Sequence, residues 1–531
     1  MTQAQEGTPP SSGARTLYDD VPYPSKSYAY AHPDRLNTIA RLFGMAPVPL
    51  QRARILELGC GEGGHLIPIA AQLPDATVVG VDLAAEAIAV ARQNIEALGL
   101  TNIQVHAGNI ATFAPELSAF DYIIAHGVFS WVPANVRQAM LAFCKRHLSP
   151  QGVAYISYNC LPGWHLHRVT RDIMRVHAEQ FSDPMEQVRQ GQALVKFFAG
   201  ATEGSKAPYA AVLATASRMI DKHDTSYFFH DFLSPENEPL LFQDFVALAE
   251  QHELGYLGDA MLGEMMPGAV SEGVLEVLNR IAPNLIRLEQ YLDLIRGTSF
   301  RRSLLIHSEV ELKRNLGAAD LKGLYVTIHG GPSEGEIDVT NHDPVTFEAN
   351  DGTEVTVGSP VGKAALLQLY AHRPIAMPFE ALLDAALGWL DDPPTIEDAT
   401  ETLGGVLIHA YGAGLVDIVG RDRGMVNVLS DRPLADPYAR HCAALGRDSV
   451  TNRRHEVVGC SRFDRELLKL LDGTRTVQQL RTALLSLIHE GVLTVKIDGE
   501  ARTEPDVLEE ALDTMLPARL DRLLRSAMLI G

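Results

Sequence analysis

Between residues 53 and 159, short runs of β-branched and aliphatic residues alternate with stretches of helical periodicity. Five of these runs predict strands: RILELG, TVVGVDL, NIQVHAG, FDYIIAHG and VAYISYN. They are apolar along most of their length, which is typical of strands buried on both faces of a sheet. Between the second and third runs, Ile88, Ala91, Ile95 and Leu98 recur at helical spacing. The alternation predicts an α/β fold with a parallel, doubly wound, Rossmann-like sheet.

The same sheet is expected to resume beyond a helical insertion. The strand pattern stops after residue 160, and residues from about 160 to 230 predict helices. Further strand candidates lie near Leu254 and Phe300, separated by a second predicted helical insertion over residues 262–298. We therefore expect a disordered tail over residues 1–20 and one domain over residues 21–310, whose sheet takes its last two strands from beyond the first insertion.

A different C-terminal region follows this domain. Residues 311–360 alternate Val, Thr and charged residues with Gly, Asn and Asp turns, which predicts a small β linker region. The next two blocks, residues 361–430 and 431–531, share an order of helix, helix and strand pair that is typical of winged-helix folds. The sequence thus predicts an α+β region of two winged-helix-like units. A chain of 531 residues has room for three to four domains of ~150 residues each.

Charge and cysteine usage exclude several classes of function. The formal net charge of −21 repels phosphate backbones and anionic lipids, so nucleic acid is an unfavourable partner. Five cysteines without paired spacing fit neither a disulfide framework nor a zinc site, and they indicate a reducing cytoplasm. No secretory signal or apolar span predicts a membrane anchor. His165 and His167 lie two residues apart without a third ligand, so no metal site is predicted.

The segment that carries chemistry is ELGCGEGG, from Glu57 to Gly64, where a predicted strand turns into a helix. Glycines at such a turn allow close approach of a nucleoside-bearing cofactor. Asp82 ends the next strand, 25 residues after Glu57, where an acid can hold both ribose hydroxyls. An NAD site would also use that acid, and a purely structural tight turn is the other alternative. The spacing E-x-G-x-G-x-G favours S-adenosylmethionine, because dinucleotide folds prefer G-x-G-x-x-G.

Two further loops are expected at the same carboxyl edge of the sheet, where ligands of open α/β sheets bind. Gly108 and Asn109 follow the third strand, and Asn109 is a candidate for the adenine edge or an ordinary loop cap. His126 closes the fourth strand and leads to Phe129 and Trp131, which are candidates for an aromatic wall or for core packing.

Several runs together resemble one bacterial family. They are YDDVPYPSKSYAYAHPDRLNTIARLFGM, ILELGCGEGGHLIPIA, FDYIIAHGVFSWVP and VAYISYNCLPGWH, with looser matches in HDFLSPENEPLLFQDFVALAEQHELGYLGD, TNRRHEVV and LLKLLDGTRT. The chain resembles class I methyltransferases that carry a methyltransferase regulatory domain, including rickettsial lysine methyltransferases that modify outer membrane protein B. The resemblance implies an enzyme that uses S-adenosylmethionine, with a substrate that varies within the family. One departure is His65, where the family more often has Asn.

Site residues follow from the motifs and the resemblance. The predicted cofactor-binding residues are Tyr28, Glu57, Gly59, Cys60, Gly61, Asp82, Leu83, Gly108, Asn109 and His126. Tyr158 and Asn159 end the fifth strand and are the candidates for orienting a lysine amine, against the alternative that YNCLPGW is only a tight strand exit with a core tryptophan. The N-terminal aromatics Tyr23, Tyr28 and Tyr30 are expected to form a lid. His32 beside them is a candidate base, with helix capping or packing as its alternative.

The leading functional hypothesis is a methyltransferase acting on a protein lysine, with a basic peptide as the favoured partner and a homodimer as a possible assembly. A small-molecule methyltransferase is the rival enzyme. A cofactor-sensing winged-helix regulator is the rival from another class. Its candidate recognition helices, PFEALLDAALGWL and VQQLRTALLSLIHEG, carry one Arg and no Lys between them, which argues against DNA binding.

Overall fold

The computed structural model describes residue 21 and residues 25–266, 270–333, 335–494, 496–497, 500–501 and 505–531. The predicted tail over residues 1–20 and the lid residue Tyr23 lie outside these ranges. No helix among the described residues is long and apolar enough to cross a membrane.

Seven strands form the main sheet. They are β1 Arg54–Leu58, β2 Thr77–Asp82, β3 Ile103–Ala107, β4 Phe120–Ala125, β5 Leu148–Asn159, β6 Leu254–Asp259 and β7 Phe300–His307. Their order is β3-β2-β1-β4-β5-β7-β6, with β1 to β5 parallel and β7 antiparallel to both β5 and β6. The five predicted strands and the two expected near Leu254 and Phe300 are confirmed.

Twelve α-helices accompany this sheet within the described residues. They are α1 Pro33–Leu42, α2 Leu66–Gln72, α3 Ala85–Ala97, α4 Ala134–His147, α5 Trp164–Ala178, α6 Pro184–Ala201, α7 Pro208–Lys222, α8 Thr225–Phe228, α9 Phe242–Glu250, α10 Leu262–Met265, α11 Glu272–Ile281 and α12 Leu285–Arg296. The sheet is buried on both faces because successive strand residues point to opposite sides. In β1, for example, Ile55 belongs to one buried cluster and Leu56 to the other.

Both runs of helices that interrupt the sheet leave from its carboxyl edge. The run α5 to α8 follows the end of β5, and its own buried cluster includes Met174, Val188 and Phe228. The run α10 to α12 lies between β6 and β7, and the first residue of β7, Phe300, pairs with Asn159 at the last position of β5. The helices therefore surround the edge where the predicted cofactor loops lie.

The C-terminal region contains seven α-helices and ten short strands among the residues that the structure describes. The helices are α13 Pro360–His372, α14 Phe379–Leu387, α15 Ile396–Gly412, α16 Pro437–Ala444, α17 Arg462–Leu470, α18 Val477–His489 and α19 Pro505–Arg525. The strands are β8 Tyr325–Ile328, β9 Gly330–Pro332, β10 Val345–Ala349, β11 Glu354–Val357, β12 Met377–Pro378, β13 Val416–Val419, β14 Ser449–Thr451, β15 Val457–Gly459, β16 Lys496–Ile497 and β17 Glu500–Ala501.

The first of the two predicted repeats differs from its expected pattern. Only β13 follows its helices, and that strand pairs with β8, which lies upstream and forms the centre of the sheet β12-β8-β13. The segment GVLIHAYG, directly before β13, is the end of helix α15. The second block does end its helix pair with a hairpin, β16 and β17.

Candidate functional site

The glycine-rich turn after β1 has the backbone that the motif predicted. Gly59 has φ +81° and a Cβ there would come within 2.6 Å of Val128 Cγ2, so the position requires glycine. At Gly61, with φ +50°, a Cβ would meet nothing within 4 Å. Gly127, at the end of β4, has the same open surroundings. Bare backbone therefore faces open space at two adjoining loops of the carboxyl edge, as a bound cofactor requires.

Asp82 ties the turn to the end of β2. Its Oδ2 accepts a hydrogen bond from Gly61 N–H at 2.8 Å, and its Oδ1 accepts one from Ala84 N–H at 2.9 Å. A carboxylate has about four acceptor positions, so one such side chain can hold a backbone turn and also bind a ligand hydroxyl. Leu83 follows at the same edge and is half-buried.

Glu57 lies behind this turn with an unused acceptor. The residue is only 4% exposed, and its Oε2 is buried without a hydrogen-bond partner among the described residues. Burial, reinforced by the charge of Asp82, raises the pKa of Glu57 well above its ordinary value. A buried acceptor without a protein partner fits a ligand that brings its own donors, as the amine and hydroxyl groups of S-adenosylmethionine do.

Cys60, Gly108 and Asn109, also predicted to bind the cofactor, make contacts within the protein at this edge of the sheet. Cys60 is buried against Gly80, and burial raises the pKa of its thiol, so only its backbone lies at the turn. Gly108 donates its N–H to the carbonyl of Asp82 at 2.8 Å, which joins the loop after β3 to the turn. Asn109 Oδ1 accepts from Ala111 N–H at 2.9 Å, which is the loop-cap geometry of the alternative interpretation.

Five rings meet beside the turn, and we call them the ring cluster: Tyr28, Tyr30, His126, Tyr155 and Phe300. The rings of Tyr28 and His126 lie 3.8 Å apart between centroids, and Tyr30 and Phe300 lie 5.6 and 5.9 Å from His126. His126 Nδ1 is 3.0 Å from Tyr155 Oη. Burial lowers the pKa of His126 well below its ordinary value, so its ring is neutral.

A cation already lies against the ring cluster. The Arg302 guanidinium carbon is 4.6 Å from the Tyr30 ring centroid and 5.3 Å from that of Phe300. Its Nη1 donates to Glu264 Oε1 at 2.7 Å, while Glu264 Oε2 is buried without a partner among the described residues. The N-terminal segment, β4, β5, β7 and α10 thus each contribute a side chain to one polar and aromatic surface.

Tyr158 is not on this surface, which contradicts the expectation that it receives the acceptor. The residue is 1% exposed, its ring stacks on Phe245 at 4.1 Å, and its hydroxyl lies 3.1 Å from Ser303 Oγ. Side chains alternate along a strand, so Tyr155 and Ser157 point to the ring cluster while Tyr158 points into the opposite core. The structure supports the alternative of a tight strand exit with a core tryptophan, since Trp164 is also buried. Phe129 likewise packs edge-to-face on Phe245 in that core.

The two other candidates for the reaction differ in their surroundings: Asn159 has a side-chain donor unpartnered among the described residues, whereas His32 caps a helix. Asn159 is buried with its Nδ2 unpartnered among the described residues, while its backbone N–H donates to Ser130 Oγ at 2.9 Å. His32 is the N-cap of α1, where its Nδ1 accepts from Asp34 N–H at 3.0 Å. A buried ring used in this way supports the capping alternative rather than the role of a base.

Sequence reasoning missed Tyr155, Phe300 and Arg302 as site residues. Tyr155 lies in an unbroken apolar run whose two faces the sequence does not distinguish. Phe300 and Arg302 belong to a strand that reaches the site only through the antiparallel insertion of β7 beside β5. No group of three or more His, Cys, Asp or Glu side chains suited to a metal ion occurs in the described ranges.

Comparisons with known proteins give the family. Residues 55–152 match the methyltransferase domain, residues 224–307 match the family described as "Predicted methyltransferase regulatory domain", and residues 431–528 match the family described as "PKMT, C-terminal winged helix domain". An uncharacterized protein of Rickettsia prowazekii is 33% identical over 519 residues, which cover 97% of this chain and 93% of that protein. The chain belongs to the class I S-adenosylmethionine-dependent methyltransferases with a methyltransferase regulatory domain.

Two further similarities support the assignment. A second uncharacterized Rickettsia prowazekii protein is 36% identical over 234 residues, 44% of this methyltransferase and 94% of that protein. The solved structure of PKMT2 from Rickettsia typhi in complex with AdoHcy has a TM-score of 0.86 and 28% identity, covering 96% of this chain and 100% of that one.

These matches decide between the classes of function that the sequence left open. The protein is a methyltransferase whose cofactor is S-adenosylmethionine. The C-terminal winged helix is a domain that PKMT proteins carry, which overturns the alternative of a cofactor-sensing winged-helix regulator.

Proposed function

We propose that this methyltransferase modifies the side-chain amine of lysine in a protein, and that the ring cluster receives that amine. The observation that carries the proposal is the position of Arg302, a cationic side chain already held over Tyr30 and Phe300. Aromatic faces attract cations, and they also stabilise positive charge as it passes from sulfur to nitrogen. PKMT2, a protein lysine methyltransferase with 28% identity, supports the same acceptor class.

The cofactor cradle in this proposal is the turn after β1 together with its neighbouring loops. Asp82 accepts hydrogen bonds from the ribose hydroxyls, and the buried Oε2 of Glu57 accepts from a donor near the turn. Leu83 and Asn109 flank the adenine, while Gly59, Gly61 and Gly108 allow close backbone approach, with the backbone of Cys60 between the first two. S-adenosylmethionine supplies an electrophilic methyl group on a sulfonium, so the protein's task is mainly alignment.

The acceptor must arrive as a neutral amine, although lysine in water has a pKa of about 10.4. A ring-lined, partly buried surface disfavours the charged form by desolvation, which lowers the pKa of the amine. The unpartnered oxygen of Glu264 can accept an N–H and orient the lone pair. Tyr28 and the neutral His126 ring close the surface on the side of the cofactor turn. Asn159 offers a buried amide on the same strand face as Ser157, and we keep it as a candidate for orienting the acceptor.

The proposal extends to partner and location. A net charge of −21 favours a basic peptide or protein as the acceptor, since opposite charge accelerates association. All five cysteines are buried and unpaired, which supports a reducing cytoplasm as the location. Pairing of two copies stays a hypothesis from the sequence.

The test is to incubate the protein with isotope-labelled S-adenosylmethionine and a bacterial lysate, and then to map labelled residues by tandem mass spectrometry. Label on protein lysine is expected. Label found only on small molecules, or on protein groups other than amines, would refute the lysine assignment while leaving the methyltransferase assignment intact.

Variants of the ring cluster then test the acceptor site with the verified substrate. Phe300→Leu is expected to raise KM for the substrate by roughly two- to thirty-fold, the scale of losing a cation–π contact. The dissociation constant of S-adenosylhomocysteine should change little. Phe197→Leu, at an exposed position on α6, is the matched control. Equal KM values for Phe300→Leu and the control would move the acceptor site elsewhere.

A further inference from the structure

One loop of the C-terminal winged-helix region reaches the cofactor turn. It joins β14 to β15 and comprises residues 452–456, with sequence NRRHE, and we call it the β14–β15 loop. At its start, Thr451 donates its hydroxyl to Ser27 Oγ of the N-terminal segment at 3.0 Å. His455, within it, is completely buried, and its Nε2 lies 2.8 Å from Nδ1 of His65.

His65 is the residue where this loop meets the cofactor turn. It follows Gly64 directly, and the N–H of Gly64 donates to Ser25 Oγ at 2.7 Å. The same His65 Nδ1 also accepts the backbone N–H of Tyr28 at 3.2 Å. A backbone N–H can only donate, so Nδ1 is the unprotonated nitrogen of His65 and the proton of the second bond resides on His455 Nε2.

This arrangement links three parts of the chain through one nitrogen. His455 belongs to the C-terminal region, Tyr28 to the N-terminal segment, and His65 to the start of α2 beside the cofactor turn. The Tyr28 ring in turn lies 3.8 Å from His126 in the ring cluster.

The loop itself is held in a fixed shape. His455 has φ +66°, a left-handed conformation that is costly for a residue with a Cβ and persists only where the surroundings enforce it. Asn452 Oδ1 accepts the N–H groups of Arg454 and Glu456 at 3.0 and 2.8 Å. Asn452 Nδ2 donates to the carbonyl of Ser526 at 2.9 Å, which anchors the loop to the end of α19.

We propose that His455 is a positioning residue of the methyltransferase site, through which the C-terminal winged-helix region completes the cofactor-binding turn. By donating to His65, it fixes the imidazole that receives Tyr28 and so keeps the N-terminal segment closed over the turn. The inference rests on the cofactor cradle proposed above and is independent of which acceptor is methylated.

The test compares three full-length variants with the wild type. His455→Leu removes the donor at similar volume, and we expect the dissociation constant of S-adenosylhomocysteine, measured by calorimetry, to rise at least ten-fold. KM for S-adenosylmethionine should rise more than kcat falls. His455→Gln places an amide N–H at a similar position and should stay within about three-fold of the wild type, as expected for one replaced hydrogen bond.

The control is His441→Leu. His441 is another histidine of the C-terminal region that contacts the first domain, through Nε2 to Asn94 Oδ1 at 3.0 Å, but it does so on α3, away from the cofactor turn. We expect its affinity for S-adenosylhomocysteine to match the wild type. An equal loss in both leucine variants would assign the effect to general docking of the two regions and overturn the proposal.

If His455→Leu does not fold, Thr451→Val gives the answer. It deletes only the hydroxyl bond to Ser27 at nearly constant volume and should weaken S-adenosylhomocysteine binding two- to five-fold with the melting temperature little changed. Wild-type affinity in a folded His455→Leu, or in Thr451→Val when His455→Leu cannot be tested, would refute the positioning role. Failure of the wild-type protein to bind S-adenosylhomocysteine at all would instead count against the cradle.

Discussion

Asp82 is the residue on which the proposed cofactor site most depends, because one carboxylate has two tasks. It holds the backbone of the glycine-rich turn through Gly61 and Ala84, and it is the residue that we propose to bind the ribose hydroxyls. The spacing from Glu57 to Asp82 indicated the second task, while the first became visible only in the folded turn.

Replacing this acid should weaken cofactor binding. Asp82→Ala loses hydrogen bonds to a charged acceptor, so we expect S-adenosylhomocysteine to bind ~1 to 3 kcal/mol less tightly in calorimetry. Asp75→Ala, which removes the same charge from an exposed position just before β2, is the control. Comparable affinities in the two variants would exclude Asp82 from the ribose site.

Four buried histidines should make the stability of the fold depend on pH. Burial is the main cause that lowers the pKa of His32, His126 and His455 well below the ordinary value, and that of His65 to about 3. These rings stay neutral in the folded state, while the unfolded chain takes up protons below pH ~6.5. Their contribution to stability is therefore complete above that pH and is lost as the pH falls, by about 1.4 kcal/mol per unit for each histidine.

Urea unfolding at pH 7.5 and 5.5 measures this loss. Burial also raises the pKa of two acids, that of Glu57 well above its ordinary value and that of Asp231 to about 7, and these groups act in the opposite direction. The informative quantity is therefore the difference in pH dependence between variant and wild type. His455→Gln removes one histidine, and its free energy of unfolding should fall less between the two pH values, by about 1.4 kcal/mol. The same pH dependence in variant and wild type would mean that His455 takes up its proton in the folded protein at the same pH as in the unfolded chain.

Tyr155 and Tyr158 illustrate how far the site could be predicted from sequence. The motifs located the carboxyl edge, the glycine-rich turn and its acid, because those features depend on local spacing. The face of β5 that lines the site is a tertiary property, since a strand buried on both sides is apolar on both sides. Tyr155 and Tyr158 therefore look alike in the sequence, and only the helices packed on each face separate them.

At the scale of elements, the strands were predictable and their arrangement was not. Leu254 and Phe300 begin runs with strand character, but nothing local indicates that β7 inserts between β5 and β6 and runs antiparallel to both. The strand β8 was assigned to a linker for the same reason, since its partners β12 and β13 come some 50 to 90 residues later. Pairing over such distances depends on the whole fold.

The insertion of β7 is secured by Arg301, which is 1% exposed. Its guanidinium contacts Glu289 at 2.8 Å and Asp293 at 3.0 Å, both on α12, and lies 4.1 Å from the Phe242 ring centroid. Arg301 opposes Tyr158 across the pairing of β5 with β7, so it lies on the sheet face away from the ring cluster. Its neighbour Arg302 opposes Ser157 and points to the site.

Loss of that guanidinium should destabilise the fold without touching the cofactor turn. Arg301→Met leaves buried carboxylates without their cation, so we expect the free energy of unfolding in urea to fall by about 3–5 kcal/mol. Arg280→Met, at an exposed position on α11, should change it by less than about 0.5 kcal/mol. A small effect at Arg301 would show that the carboxylates are neutral or rehydrated in the variant.

In the whole molecule, the C-terminal region packs against the first domain. One buried cluster runs from Ala31 and Ile55 in the first domain to Leu467 on α17 and Leu529 after the end of α19. Polar contacts follow the same path: Arg35 bonds Asp417 at 2.9 Å, and Arg423 bonds Asp34 at 3.0 Å. The Arg35 cation holds the pKa of the buried Asp417 below its ordinary range. The two regions therefore share one core and are expected to unfold together.

A shared core has a consequence for ligand binding, because coupling between two places in a protein is reciprocal. If the β14–β15 loop stabilises the cofactor turn, then the bound cofactor must stabilise the loop.

At a concentration 100-fold above its dissociation constant, S-adenosylhomocysteine should stabilise the folded protein by about 2.7 kcal/mol. Hydrogen exchange of the amides in residues 452–456 should slow accordingly, although they lie almost 400 residues from the glycine-rich turn in sequence. The amides around Gly414, in the turn between α15 and β13, provide the comparison, since global stabilisation alone would slow both segments equally. Selective protection of the loop is the expected result, and equal protection of the two segments would mean that the C-terminal region contributes stability to the site but does not shape it.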